Sequence, residues 1–166
     1  TYRTMEKALA EGRTRAIGVS NFYADRFHDL VCHNSIVPAI DQLETNVFSQ
    51  QTSMRGLLEK TGTKVMAWGP MAQGKDGFFG HEILGRIGEK YGKTSTQVGL
   101  RFLVQQGIPA IPKTTRIERM RENFDIFDFR LDDEDMAELM ALNLHDAGTR
   151  DYTDLGYASR IIAQTF

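Results

Sequence analysis

Four short apolar runs, residues 16–19, 39–43, 65–68 and 109–111, alternate with amphipathic stretches. They recur about 22 to 45 residues apart, the spacing that a strand, a helix and the next strand occupy. Strands joined through a helix lie parallel, because only antiparallel neighbours can be linked by a tight turn. The runs are apolar on successive residues, as in strands covered on both faces. The pattern predicts a parallel α/β architecture. Four parallel strands alone make a small sheet with two open edges. The sequence therefore reads as half of something larger. It also starts at Thr1, a hint that a segment upstream was removed.

The helices between the runs have readable ends. Residues 5–11 stop at Gly12, a natural C-cap. Residues 24–33 carry Phe27, Leu30 and Val31 on one face. Residues 53–60 carry Met54, Leu57 and Leu58 and stop before Gly62. Residues 82–91 carry Ile83, Leu84 and Ile87 and stop at Gly92. Thr94 and Gln97 have the spacing of a capping box, opening a helix with Val98, Phe102 and Leu103 inward. Asp132 is placed to cap a last helix with Met136, Leu139 and Met140. After Asn143 come polar turns and a short helical pattern at 157–164. Residues 1–166 thus read as one domain, with 144–166 a C-terminal tail.

Each strand candidate runs into polar or aromatic groups at its C-terminal end. The first reaches Ser20 and Asn21. The second holds Gln42, then Glu44 and Asn46. The third ends in Trp68, Gly69 and Pro70, followed by Gln73 and Gly74. The fourth opens onto Lys113 and Thr114. Ligands of parallel α/β proteins sit at that edge, so four such ends point to one composite site.

The last of these ends is the most charged. In IPAIPKTTRIERMREN, residues 108–123, Lys113, Thr114, Arg116, Arg119 and Arg121 fall within nine residues. One reading is a solvated helix start capped by Thr114 or Thr115. The other is an anion site. Cations are disfavoured in a first helical turn, and Lys113, Arg116 and Arg119 crowd there. Backbone N–H groups, a hydroxyl, a Lys point charge and an Arg fork suit a phosphate monoester. A generic phosphate-binding domain would explain that segment, but would leave Asn21, Gln42 and Trp68 as coincidence.

Other chemistries find no pattern. GEKYGKT, residues 88–94, has three residues between its glycines where a phosphate loop needs four, and it follows a helical run. There is no GxGxxG. A zinc-protease helix built on His81 and Glu82 needs a second His where Gly85 stands. His28, His33, His81 and His145 lack metal-ligand spacing. Cys32, near the apolar face of a helix, reads as structural. As the single cysteine it forms no intrachain disulfide, which fits a cytoplasmic protein. A net charge of −2, from 20 basic and 22 acidic residues, argues against nucleic acid or a membrane surface as partner.

Several segments together resemble the aldo-keto reductase family. GRTRAIGVSNF (12–22) and IPKTTRIERMRENFDIFDFRL (111–131) are similar to two of its signatures. PAIDQLETNVFSQQ (38–51) and VMAWGPMAQGK (65–75) match the segments between, in order and spacing. The resemblance spans roughly residues 4–143. It implies a (β/α)8 TIM barrel that reduces small-molecule aldehydes and ketones with NADPH. By resemblance, Ser20, Asn21 and Gln42 would hold the nicotinamide carboxamide, and Trp68 would stack on the ring where many members have Tyr. Gly69, Met71 and Gln73 would line the pyrophosphate path. Lys113, Thr114 and Arg119 would grip the 2′-phosphate of NADP, and Glu122 and Asn123 would meet the adenine. Asn46 and Val47 depart from the His-Pro often found there, which touches the local turn. The family's catalytic Asp, Tyr, Lys and His lie upstream of everything in this sequence. A full barrel needs about 250 residues. The resemblance implies the C-terminal half, strands 5–8, with the N-terminal half missing and no catalytic residue of its own. The open edges would take the missing half-barrel or a second copy. The alternative is a non-catalytic half-barrel that binds nucleotide or self-associates.

Overall fold

A computed structural model describes residues 1–144 together with Asp146, Ser159 and Ala163. Through residue 144, helices and strands run α1 (Tyr2–Ala10), β1 (Gly18–Ser20), α2 (Ala24–His33), β2 (Ile40–Glu44), α3 (Thr52–Glu59), β3 (Lys64–Trp68), α4 (Glu82–Tyr91), α5 (Ser95–Gln105), β4 (Ala110–Ile111), α6 (Ile117–Phe124) and α7 (Asp133–Met140). Two single 3₁₀ turns, Ala72–Gly74 and Phe78–Gly80, interrupt the connection after β3.

The strands form one parallel sheet in the order β1-β2-β3-β4. Each strand pairs with the next in sequence. Gly18 lies beside Ile40, Ile40 beside Lys64, and Trp68 beside Ile111. A doubly wound sheet reverses its strand order partway. This one does not reverse, which is how neighbouring staves of a barrel follow one another.

The two-sided burial expected of the strands exists on one side. Leu43, Val65 and Ala67 share a core with Phe27 of α2, Met54 and Leu58 of α3, Leu84 and Ile87 of α4, and Val98, Phe102 and Leu103 of α5. The alternate residues face away from the helices. Ile40, Gln42, Met66 and Trp68 are half-buried, and Lys64 is exposed. The helices therefore lie on one face of the sheet, and the other face is open.

Strand β1 starts two residues later than the apolar run, at Gly18, where Ile40 O lies only 2.6 Å from the place a Cβ would take, so a side chain there would collide with β2. Helix α1 begins at Tyr2, whose hydroxyl donates to Ile36 O at 3.0 Å. Cys32 is exposed, against the expectation of a structural thiol, and its Sγ lies 3.5 Å from His28 Nε2. The tail helix expected at 157–164 lies outside the described residues apart from Ser159 and Ala163, both helical.

Local chemistry settles two segments left open by the sequence. Asn46 organises the turn after β2 itself. Its Oδ1 accepts from Phe48 N at 3.0 Å and Ser49 N at 3.1 Å. In GEKYGKT, Gly92 ends α4 in the left-handed region at φ 65°. Gly88 lets the chain after it close over the helix, since a Cβ there would lie 2.4 Å from Lys93 O. Gly88→Ala is therefore expected to cost about 1–3 kcal/mol by overpacking. Urea unfolding of the two proteins measures this, and equal midpoints would refute the close-approach explanation.

Candidate functional site

Strand C-termini converge on one side of the sheet, and the loops that follow them enclose a cleft of about 1100 Å³. All twelve residues expected to meet a cofactor line it. These are Ser20, Asn21, Gln42, Trp68, Gly69, Met71, Gln73, Lys113, Thr114, Arg119, Glu122 and Asn123.

At one end, β1, β2 and β3 build a chain of hydrogen bonds. The indole N–H of Trp68 donates to Asn21 Oδ1 at 2.9 Å. The Asn21 amide donates to Ser20 Oγ at 3.1 Å, and the Ser20 hydroxyl donates to Gln42 O at 3.0 Å. Asn21 N also donates to that carbonyl at 3.0 Å. Asn21 sits at φ 59°, a left-handed conformation that Asn tolerates better than most residues. Gln42 Nε2 rests 3.3 Å from Met66 Sδ, which leaves Oε1 of Gln42 as an acceptor toward the cleft.

Below the strand ends, Glu44 is buried and its Oε1 accepts from Gln73 Nε2 at 3.2 Å. Ala72 and Gln73 both take positive φ, at 50° and 55°. This strained turn, after Gly69 and Met71, places backbone along the middle of the cleft.

The far end is cationic. Lys113 and Arg119 line the cleft, and among the described residues neither forms an ion pair. Lys90, Lys93 and Arg86, by contrast, are each held by carboxylates. Neither Thr114 nor Thr115 caps α6, as one reading of the sequence had it. Arg116 stands at the N-cap and makes no side-chain capping bond, while its N–H donates to Thr114 Oγ1 at 3.2 Å. The helix carries Glu118 in its first turn, which offsets part of the charge crowding. Arg119 lies in the same first turn and lines the cleft.

Sequence reasoning missed one wall. Phe79, Gly85, Lys93 and residues 94–96 line the cleft opposite α6. Thr94 joins the two walls. It caps α5 by accepting from Gln97 N at 3.3 Å and donates to Glu122 Oε1 at 2.6 Å. Gln97 Nε2 donates to Asp125 O at 2.7 Å, fastening the end of α6 to α5. The capping box at Thr94 was legible, but nothing local said that it faces Glu122. No cluster of His, Cys, Asp and Glu able to hold a metal occurs among the described residues. No helix among them is long and apolar enough to cross a membrane.

One buried carboxyl belongs to none of this. Asp41 on β2 is wholly buried; among the described residues its Oδ2 has no hydrogen-bond partner, and Oδ1 accepts only a long bond from Phe22 N at 3.4 Å. Burial pushes its pKa up to about 7, which the Phe22 bond only partly counters.

Known proteins of one family are similar to this chain. The profile of the aldo/keto reductase family matches residues 1–76 and 80–144. Glyoxal reductase of Bacillus subtilis is 39% identical over 143 residues, covering 86% of this chain and 51% of the relative. Aldose reductase B of Dictyostelium discoideum is 38% identical over 143 residues, 86% of this chain and 46% of its own. The chain thus spans about half the length of such relatives. An aldo-keto reductase from a Medee basin deep-sea metagenome library superposes with a TM-score of 0.84 at 33% identity, over 92% of this chain and 58% of that one. A silkworm (Bombyx mori) aldo-keto reductase complexed with NADPH gives 0.78 at 37% identity, over 90% of this chain and 47% of that one. With most of its length matched by the family profile, the chain belongs to the aldo/keto reductase family.

Proposed function

We propose that this chain supplies the cofactor-binding half of an NADP-dependent aldo-keto reductase acting on small aldehydes and ketones. Its four strands are strands 5–8 of a (β/α)8 barrel, and residues 1–166 form one unit with 144–166 as its tail. The observation that carries the reading is the polarity of the cleft. Two cations without an ion-pair partner among the described residues, Lys113 and Arg119, stand at one end, and amide donors and acceptors beside an indole stand at the other. A dinucleotide with an extra phosphate on its adenosine half and a carboxamide on its other ring matches both ends.

The residues then take these roles. Asn21 and Gln42 present an N–H and a carbonyl oxygen to the carboxamide, with Ser20 holding Asn21 in place. Trp68 offers a ring face to the nicotinamide. Gly69, Met71 and Gln73 follow the pyrophosphate. Lys113, Thr114 and Arg119 bind the 2′-phosphate, and Glu122 and Asn123 meet the adenine. A bound dihydronicotinamide supplies hydride for carbonyl reduction. Protonating the carbonyl oxygen requires an acid, which belongs to the other half of the barrel.

The open sheet face and the exposed apolar side chains of α6, Ile117, Met120 and Phe124, fit a missing half-barrel packing there. They equally fit the second reading, a non-catalytic module that pairs with its own copy. A cytoplasmic location fits the exposed free thiol of Cys32. These 166 residues by themselves are expected not to oxidise NADPH in the presence of aldehydes. Mixing them with a separately produced N-terminal half-barrel from the family should restore oxidation. Turnover by the chain alone would refute the division of labour.

A further inference from the structure

We propose that Trp68 does more than present a ring face: its indole N–H fixes the polarity of the carboxamide-binding end by locking the Asn21 amide in one orientation. The inference rests on the cofactor reading above.

The bonds between Trp68 and Gln42 form a chain with a direction. An indole nitrogen only donates and a backbone carbonyl only accepts. Trp68 Nε1 lies 2.9 Å from the Asn21 side chain, so the atom it meets must be the amide oxygen. The amide nitrogen is then turned toward Ser20 Oγ at 3.1 Å. The Ser20 hydroxyl has to pass its proton onward, to Gln42 O at 3.0 Å. The obligate donor at one end and the obligate acceptor at the other thus set every orientation between them. One N–H of the Asn21 amide is used by Ser20. The second has no partner among the described residues and is left for a ligand in the cleft.

Without the indole N–H this direction is lost. The Asn21 amide can then turn over, accept from the Ser20 hydroxyl, and present its oxygen where its N–H had been. A carboxamide oxygen in the cleft would meet a lone pair instead of a donor. The backbone offers no correction, because Asn21 is already held at φ 59° by its own bond to Gln42 O. The positioning role therefore resides in an atom that a phenyl or phenol ring at this position does not carry at the same place.

Two variants test this. Trp68→Phe keeps an aromatic face and removes the N–H. Asn21→Ala removes the group it acts through. Affinity for NADP⁺ is measured for wild type, both single variants and the double variant. Affinity for 2′,5′-ADP, which lacks the nicotinamide, is measured alongside. Loss of one neutral hydrogen bond corresponds to about threefold to tenfold. Trp68→Phe should weaken NADP⁺ by at least that factor and leave 2′,5′-ADP unchanged. In the Asn21→Ala background the same substitution should have a clearly smaller effect, since coupled neighbours are not additive. An equal effect in both backgrounds would reduce Trp68 to a stacking surface and overturn the proposal.

A second readout needs no ligand. Trp68 is the single tryptophan, so its indole N–H gives one resonance in a ¹⁵N–¹H spectrum. Asn21→Ala should move that resonance upfield and speed its exchange with water. An unmoved resonance would overturn the proposal, even in a chain that binds NADP⁺ well. Wild type that binds neither NADP⁺ nor 2′,5′-ADP would instead sink the cofactor reading on which the proposal stands.

Discussion

Replacing Arg119 with Ala is expected to weaken 2′,5′-ADP binding about 10- to 100-fold, the worth of one charge-assisted hydrogen bond to a phosphate. Lys113→Ala should act in the same range. Neither change should much alter binding of 5′-ADP, which lacks the phosphate in question. The reason lies in the state of the two cations. Neither has a carboxylate partner among the described residues, so no internal ion pair has to break before they engage a ligand. Glu122 stands in the same cleft but is occupied by the Thr94 hydroxyl. Calorimetric titration of both nucleotides against the three proteins checks the prediction. Equal losses for 5′-ADP and 2′,5′-ADP would show that these side chains bind phosphate without discriminating its position.

Asp41→Asn should stabilise the chain above neutral pH and change little in acid. The folded-state pKa of Asp41 is raised by burial from 3.8 to about 7. A raised carboxyl holds its proton more tightly when folded than when unfolded. Its contribution is fully present below about pH 4, declines as pH rises, and is lost once pH passes about 7. The loss amounts to about 4 kcal/mol at most. Asparagine stays neutral throughout and escapes it. At pH 8 the variant should melt up to about 8–16 °C higher, given roughly 2–4 °C per kcal/mol for a chain of this size. At pH 4 the two melting points should be close. A constant difference across this range would mean that Asp41 stays ionised in the fold and that its buried oxygen has found another partner.

Why the cleft residues were readable in the sequence, and Asp41 was not, has a physical explanation. Ser20, Trp68 and Lys113 fall at or just beyond the ends of strands, and Gln42 two residues before one, where a parallel sheet delivers its side chains to one edge whatever the helices do. Period and punctuation therefore located them. Asp41 is one residue from Gln42 and points to the opposite face. Its Oδ1 is met by the backbone N–H of Phe22, 19 residues away in the chain, which a local pattern does not reveal. Likewise the N-terminus of α5 carried a clear capping box, yet its place opposite Arg119 and Glu122 follows from α5 packing on α6, through Gln97 and Asp125. Gln50 shows the same limit. Its side-chain amide is buried and donates to Val47 O, Leu139 O and Met140 O, fastening the turn after β2 to the end of α7. A contact across some 90 residues has no signature in a local pattern. The helix at Ile117 illustrates the reverse case. The crowding of cations was visible, but the helix starts later than the threonines suggested, so Arg119 sits in its first turn by position and reaches the cleft from there.

The fluorescence of Trp68, titrated with NADP⁺ and with NAD⁺, tests most directly whether one cleft joins the ring-binding end to the phosphate-binding end. The indole is the single tryptophan of the chain and lines that cleft. Quenching by NADP⁺ at a concentration about tenfold or more below that needed for NAD⁺ is the predicted result. It would require one ligand to reach Trp68 and the Lys113–Arg119 end together. Quenching at equal concentrations, or none by either nucleotide, would contradict a cleft built for NADP in this chain.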